Sequence, residues 1–256
     1  PSACFLISPR TPAGLTGSVN RSVPGASPVG AMMAFHTDQR VHCLRWKSSK
    51  TAFVELLRCI AIKKRLPLLG YLVLDGSVHI LAAPSSWKQL ISFAGHLRSA
   101  ATVQWQYGRV EKDRCWNGRV SYTLVQGNQA LENCVAELAT EAVAESLVDH
   151  PCQYQWSACN EMMGIRKRYR LLDYRRMANL YGVPSGHIHQ YLAEMVEDRA
   201  KQQKSGLRHW EKLTAVGEEA WIQDMAKSQT SLKRTGIVGK LPESGCATLR
   251  VPANDR

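Results

Sequence analysis

Among its eight cysteines the chain has no Cys-x-x-Cys pair, so neither a zinc ribbon nor a compact disulfide scaffold is signalled. Cys4, Cys43, Cys59, Cys115, Cys134, Cys152, Cys159 and Cys246 are scattered and read as small thiols in a reducing cytosol, which places the chain in the cytoplasm. Long hydrophobic runs are also missing. The longest, such as Leu66 to Leu74, fall far short of the roughly 18 residues a membrane span needs, so no membrane-spanning role is expected. Acidic residues are scarce: 21 Asp and Glu stand against 33 Lys and Arg, a formal charge of +12. That balance favours a polyanionic partner, nucleic acid first and an anionic membrane surface second. The excess is no single tail, since residues 1–160 carry 16 basic and 10 acidic side chains and residues 161–256 carry 17 and 11. No acidic residue precedes Asp38, and residues 1–31 are rich in Ser, Pro, Gly and Ala. This stretch is expected to stay unpacked, either as sequence upstream of a start at Met32 or Met33 or as a targeting peptide.

What is present suffices for a core: 256 residues, 45% of them hydrophobic, suit one domain of ordinary size with an appendage. Phe53, Leu56, Leu57 and Ile60 recur at helical spacing, Lys63 to Arg65 supply cations for a helix C-terminus, and Pro67 ends the run. Leu68 to Leu74 and Val78 to Ala82 flank Asp75-Gly76, a dipeptide that supplies positive φ in a tight hairpin. Ser85 or Ser86 can cap a helix carrying Leu90, Ile91, Ala94 and Leu97. Val103 to Val110 and Trp116 to Val125 read as extended, and Asn128 to Leu147 as a long helix. Further helices are expected near Asp173 to Tyr181, Pro184 to Gln203 and Glu218 to Lys227, with a loose tail after Ser228. The expected fold is α+β: a ferredoxin-like antiparallel sheet of four or five strands, with the Phe53 and Leu90 helices on one face and a C-terminal helical extension. The chain divides into an unpacked segment 1–34, a core 35–158, a helical extension 159–228 and a tail 229–256.

Read in order, these segments resemble a known family. Leu69 to Pro84, LGYLVLDGSVHILAAP, is similar to the strand-turn-strand of IS200-like and REP-associated single-tyrosine transposases of the HUH superfamily. Their second strand opens with a His-x-His pair that binds a divalent metal; here that position reads Ser77-Val78-His79. Trp116-Asn117-Gly118-Arg119 resembles the family's Trp-x-x-Arg segment, and the match runs without a gap to Tyr154-Gln155-Trp156-Ser157. That register puts Glu137 where the family carries its tyrosine and Glu141 where it carries an asparagine. Asn160-Glu161, Arg168-Tyr169, Leu172-Asp173-Tyr174, Trp210 and Ala215 to Glu218 resemble the extension of one branch, so the likeness spans roughly residues 35–252.

The resemblance implies binding of hairpin or single-stranded DNA ends. In the family a metal polarises the phosphate that tyrosine attacks, leaving a covalent 5′-phosphotyrosine. Glu137 breaks that logic, because a carboxylate is a poor nucleophile toward a phosphodiester, and Ser77 offers a hydroxyl in place of an imidazole. Cleavage and strand transfer are therefore expected to be lost or reduced. Two readings of the remaining acids stay open. Glu137 and Glu141 stand four apart on one helical face and with His79 and Ser77 could hold Mg²⁺ or Mn²⁺, or they belong to a solvated stripe with Glu132 and Glu145. Tyr122 is a candidate substitute nucleophile or a strand aromatic. Two surfaces are candidates for DNA: Arg109, Arg114 and Arg119 with Trp105 and Trp116, and Arg166, Lys167, Arg168 and Arg170 with Tyr169. Competing readings are an active transposase or metal-dependent nuclease with a rearranged site, and an RNA-binding module. A homodimer is compatible with the family.

Overall fold

The computed structural model describes residues 28–38, 40–107, 113–201, 207–231, 236–241 and 245–251. Its first half is built as β1 (Gly30–Thr37), α1 (Lys47–Lys64), β2 (Leu68–Val73), β3 (Ser77–Ala82), α2 (Trp87–Gln106) and β4 (Trp116–Val125). The four strands order as β2-β3-β1-β4 with every neighbouring pair antiparallel, the split βαβ arrangement of a ferredoxin-like sheet. Asp75-Gly76 joins β2 to β3 as expected, but without the positive φ expected of the dipeptide; the helix ends agree with the sequence expectations. Ser86 caps α2 by accepting a hydrogen bond from the Gln89 amide, and Lys63 and Lys64 occupy the last turn of α1.

Strand alternation sorts the side chains onto two faces. Phe35 packs on Trp116, and Trp116 on Phe53 of α1, each with ring centroids 5.9 Å apart; Tyr122 meets Trp87 of α2 at 4.9 Å. Helices α1 and α2 therefore cover one face, as expected. The opposite face receives α3 (Asn128–Ala144). Gly70 lies directly against it: a Cβ there would lie 3.0 Å from Leu138 of α3.

The C-terminal part follows as α4 (Cys159–Met162), α5 (Tyr174–Tyr181), α6 (Ile188–Ala200), α7 (Leu207–Trp210), β5 (Ala215–Gly217), α8 (Glu219–Ser231), β6 (Ile237–Lys240) and β7 (Ala247–Arg250). It extends the sheet to seven strands, with β5 parallel to β4 and β7 and β6 antiparallel beyond it. At the other edge, Leu72 bridges Ser157 and Leu68 bridges Leu172, which covers the open side of β2.

Four expectations need correction. Gly30 to Ala34, assigned to an unpacked segment 1–34, begin strand β1, because small and apolar residues suit a strand buried on both faces. Val103 to Gln106 continue α2 rather than starting a strand; residues 108–110 lie outside the described residues. Cys43 and Cys115 are joined in a disulfide although 72 residues apart in sequence, a proximity that the folded loops create and that spacing does not reveal. The segment expected as a loose tail supplies β6 and β7.

Candidate functional site

Ser77 and His79 point to the same side of β3, and Ser77 Oγ lies 3.0 Å from His79 Nε2. His79 is 2% exposed, paired in register with Leu72 and Ala34. Its other partners were not foreseen. Glu211, just after α7, places one carboxylate oxygen 3.4 Å from His79 Nε2 and the other 3.0 Å from Nε2 of His36 on β1. Burial holds the His79 imidazole neutral by pushing its pKa down to about 4, with Glu211 opposing. His36 is half-exposed, and its hydrogen bond to Glu211 raises its pKa. No sequence signal pointed to His36 or Glu211, since one lies on the overlooked strand and the other on the extension.

The carboxylates of α3 lie within the fold. Glu137 and Glu141 are both buried, so they are not a solvated stripe; of the four acids only Glu145 is exposed. Glu137 accepts a hydrogen bond from the Arg199 guanidinium of α6 at 3.1 Å, and Glu132 accepts one from the Tyr191 hydroxyl. Among the described residues no group of three or more His, Cys, Asp or Glu is arranged to hold a metal ion. The donor set at Ser77 and His79 does not fit the divalent ion implied by the resemblance: the Nε2 that would ligate it already faces the Ser77 hydroxyl and Glu211, and Glu137 faces a guanidinium.

Tyr122 is placed away from these groups. It pairs in register with Met33, and Met33 with Ile80, so its ring lies on the α1–α2 face, whereas His79, one residue earlier on β3, lies on the other. Burial raises its phenol pKa to about 12. Tyr122 is a packed strand aromatic, and the fold withholds it from His79.

Of the first cationic surface, Arg114 and Arg119 are exposed, Arg109 lies outside the described residues, and Trp116 is largely core. The Trp116 indole N–H donates to the Arg98 carbonyl at 3.1 Å. The second surface is more constructed. Glu161 is fully buried in α4; it accepts from the Tyr71 hydroxyl at 3.1 Å and from the amides of Leu171 and Leu172 at 2.8 and 3.1 Å. Arg166 closes this network, donating to Tyr71 Oη at 2.7 Å and to the Gln155 carbonyl at 2.8 Å, with its guanidinium 3.6 Å from Glu161. Arg166 therefore faces inward. The chain between these anchors turns at Tyr169, which has a φ of 54°, and projects Lys167, Arg168, Tyr169 and Arg170 into solvent. The Tyr169 ring takes the Arg58 guanidinium of α1 at 5.3 Å, and Arg170 lies over Tyr174 at 5.6 Å. Arg175 and Arg176 of α5, both exposed, continue the patch.

No family model matches the chain, and no curated protein matches it. Among solved structures it is similar to a REP-associated tyrosine transposase bound to a REP hairpin, at 10% identity over 57% of this chain and 87% of that one, with a TM-score of 0.46. It is also similar to a putative transposase from Deinococcus radiodurans R1, at 16% identity over 38% of this chain and 78% of that one, with a TM-score of 0.33. At those scores neither likeness bears on function, and the functional conclusion rests on this chain's own residues.

Proposed function

We propose that this chain is a nucleic-acid-binding protein derived from an IS200-like transposase, that it engages hairpin or single-stranded DNA ends, and that it has lost strand cleavage and transfer. The observation that carries the reading is the loop 167–170. Three cations and one exposed tyrosine are held outward by a buried carboxylate network, so the cations are displayed at fixed positions rather than on a free tail. Cations release counterions from phosphates, and an exposed ring adds a stacking face for unpaired bases.

The loss of cleavage is inferred from the residues at the family's catalytic positions. Glu137 stands at the tyrosine position inside the fold, where it pairs with the Arg199 guanidinium at 3.1 Å. Ser77 stands at the first histidine position, bonded to His79. No metal-dependent step is assigned to these groups. Purified protein incubated with Mg²⁺ or Mn²⁺ and a hairpin-tipped single strand is expected to retain the DNA without forming a denaturant-resistant adduct. An adduct mapped by peptide mass to any tyrosine contradicts the loss of transfer, and cutting without an adduct, abolished by Glu141→Ala, supports the nuclease reading instead.

A further inference from the structure

Between the start of α1 and the end of α2 the surface opens into a cavity of about 310 Å³, at the lower end of the roughly 300–1,000 Å³ range of small-molecule pockets. It suits one planar ring system rather than an extended ligand. Its walls are aromatic, with the buried Phe53 and Trp116 below and Trp105 and Tyr107 from the α2 end beside them. Tyr107 is 89% exposed, leaving its ring open to a partner. Ser48 and Gln104 add a hydroxyl and an amide, and among the described residues no charged side chain lines the cavity.

Exposed cations flank its lining residues along the chain. Arg45, Lys47 and Arg114 are exposed and each is the chain neighbour of a lining residue. The Arg45 guanidinium lies 6.0 Å from the ring of Trp46, itself exposed. An uncharged aromatic slot whose lining residues are flanked in the chain by three exposed cations, with Asp113 beyond Arg114, is the chemical complement of an unpaired nucleotide, whose base is neutral and planar and whose phosphates are anionic. A charged small molecule would find no countercharge inside, and a lipid chain would leave the polar walls unmatched.

We propose that this cavity is a slot for one unpaired base of single-stranded DNA, with the adjoining phosphates on Arg45, Lys47 and Arg114. The assignment rests on the nucleic-acid reading above but uses none of the residues of the loop 167–170. It is tested with two probes of equal charge, an oligothymidylate and an abasic oligomer with the same number of phosphates, titrated by anisotropy at fixed salt. Wild-type protein is expected to prefer the oligothymidylate about tenfold, the order of one stacked base. Tyr107→Ala removes an exposed wall, and Ser48→Trp fills the mouth from an exposed position, so neither disturbs the core. Both variants, compared with the slot-intact protein in a Tyr169→Ala background that removes the loop's own stacking face, are expected to bring the ratio to about one while leaving the affinity for the abasic oligomer unchanged. A wild-type ratio near one, or a ratio kept by either variant, overturns the slot and leaves the cationic loop as an interface. Absence of salt-dependent binding to both oligomers overturns the slot and the nucleic-acid reading together.

Discussion

Arg166 opens the densest cationic run in the sequence, yet its guanidinium is bound to Tyr71, the Gln155 carbonyl and Glu161. Composition could not separate it from Lys167, Arg168 and Arg170, because its partners are distant in sequence or, like Glu161, carry no sign of being buried. Removing one partner of a buried ion pair leaves the other uncompensated. Arg166→Ala is therefore expected to cost about 3 kcal/mol in urea unfolding, whereas Lys167→Ala and Arg168→Ala, on the surface, are expected to stay within about 0.5 kcal/mol. Equal stability of all three variants contradicts the assignment of Arg166 to the clamp. The shared face of Ser77 and His79 was legible from strand periodicity, but the contacts of Glu211 with His79 and with His36 were not. It has a pH signature. His79 is neutral in the fold with a pKa of about 4 against 6.5 as its ordinary value, so the unfolded chain binds more protons than the folded one between those values. Stability should fall by up to about 3 kcal/mol as pH drops from 6.5 to 4. The His36–Glu211 contact has the opposite sign: its contribution is complete below pH 6.5 and is lost as pH rises through the raised His36 pKa, so it does not mask the acid limb. Urea titrations across this range should show that limb weakened in a His79→Leu variant; an identical pH dependence in the variant contradicts the assignment.

Among the elements, α1, the β2–β3 hairpin, α2, β4 and α3 were legible because each carries its own local signal: helical periodicity, Asp-Gly, a serine cap or alternating strand residues. Elements β1, β5, β6 and β7 lack one. Strand β1 is small and apolar without alternation because both faces are covered, and β5 is three residues long, too short for a period to register. The join between β4 and β5 depends on close backbone approach. A Cβ on Gly217 would lie 2.9 Å from the Gln126 carbonyl oxygen and 2.7 Å from Gln126 Oε1, the latter already accepting from the Glu218 amide. Gly217→Ala is expected to destabilise by about 1–3 kcal/mol, the usual cost of overpacking, with the largest loss of amide protection in β5 and β7. Unchanged exchange in those strands contradicts the pairing.

Over the whole molecule, two regions differ in character. On the α3 side of the sheet His79 lies against Glu211, and Glu137 pairs with Arg199 inside the fold. The surface formed by α1, the loop 167–170 and α5 carries a cationic display that needs none of those groups. The sequence alone raised the expectation about Ser77 and Glu137, since it rests on residue identities within a motif; it could not show which cations face solvent, since that is decided by interactions with distant residues. The most direct test of DNA binding through this display is a salt titration of hairpin DNA affinity, comparing wild type with the combined Lys167→Glu, Arg168→Glu and Arg170→Glu variant. The variant is expected to bind more weakly regardless of DNA sequence, and its log–log salt slope should be shallower by about 3, one for each phosphate no longer neutralised, with an unchanged unfolding midpoint. Equal affinity and equal slope in the folded variant would contradict the account.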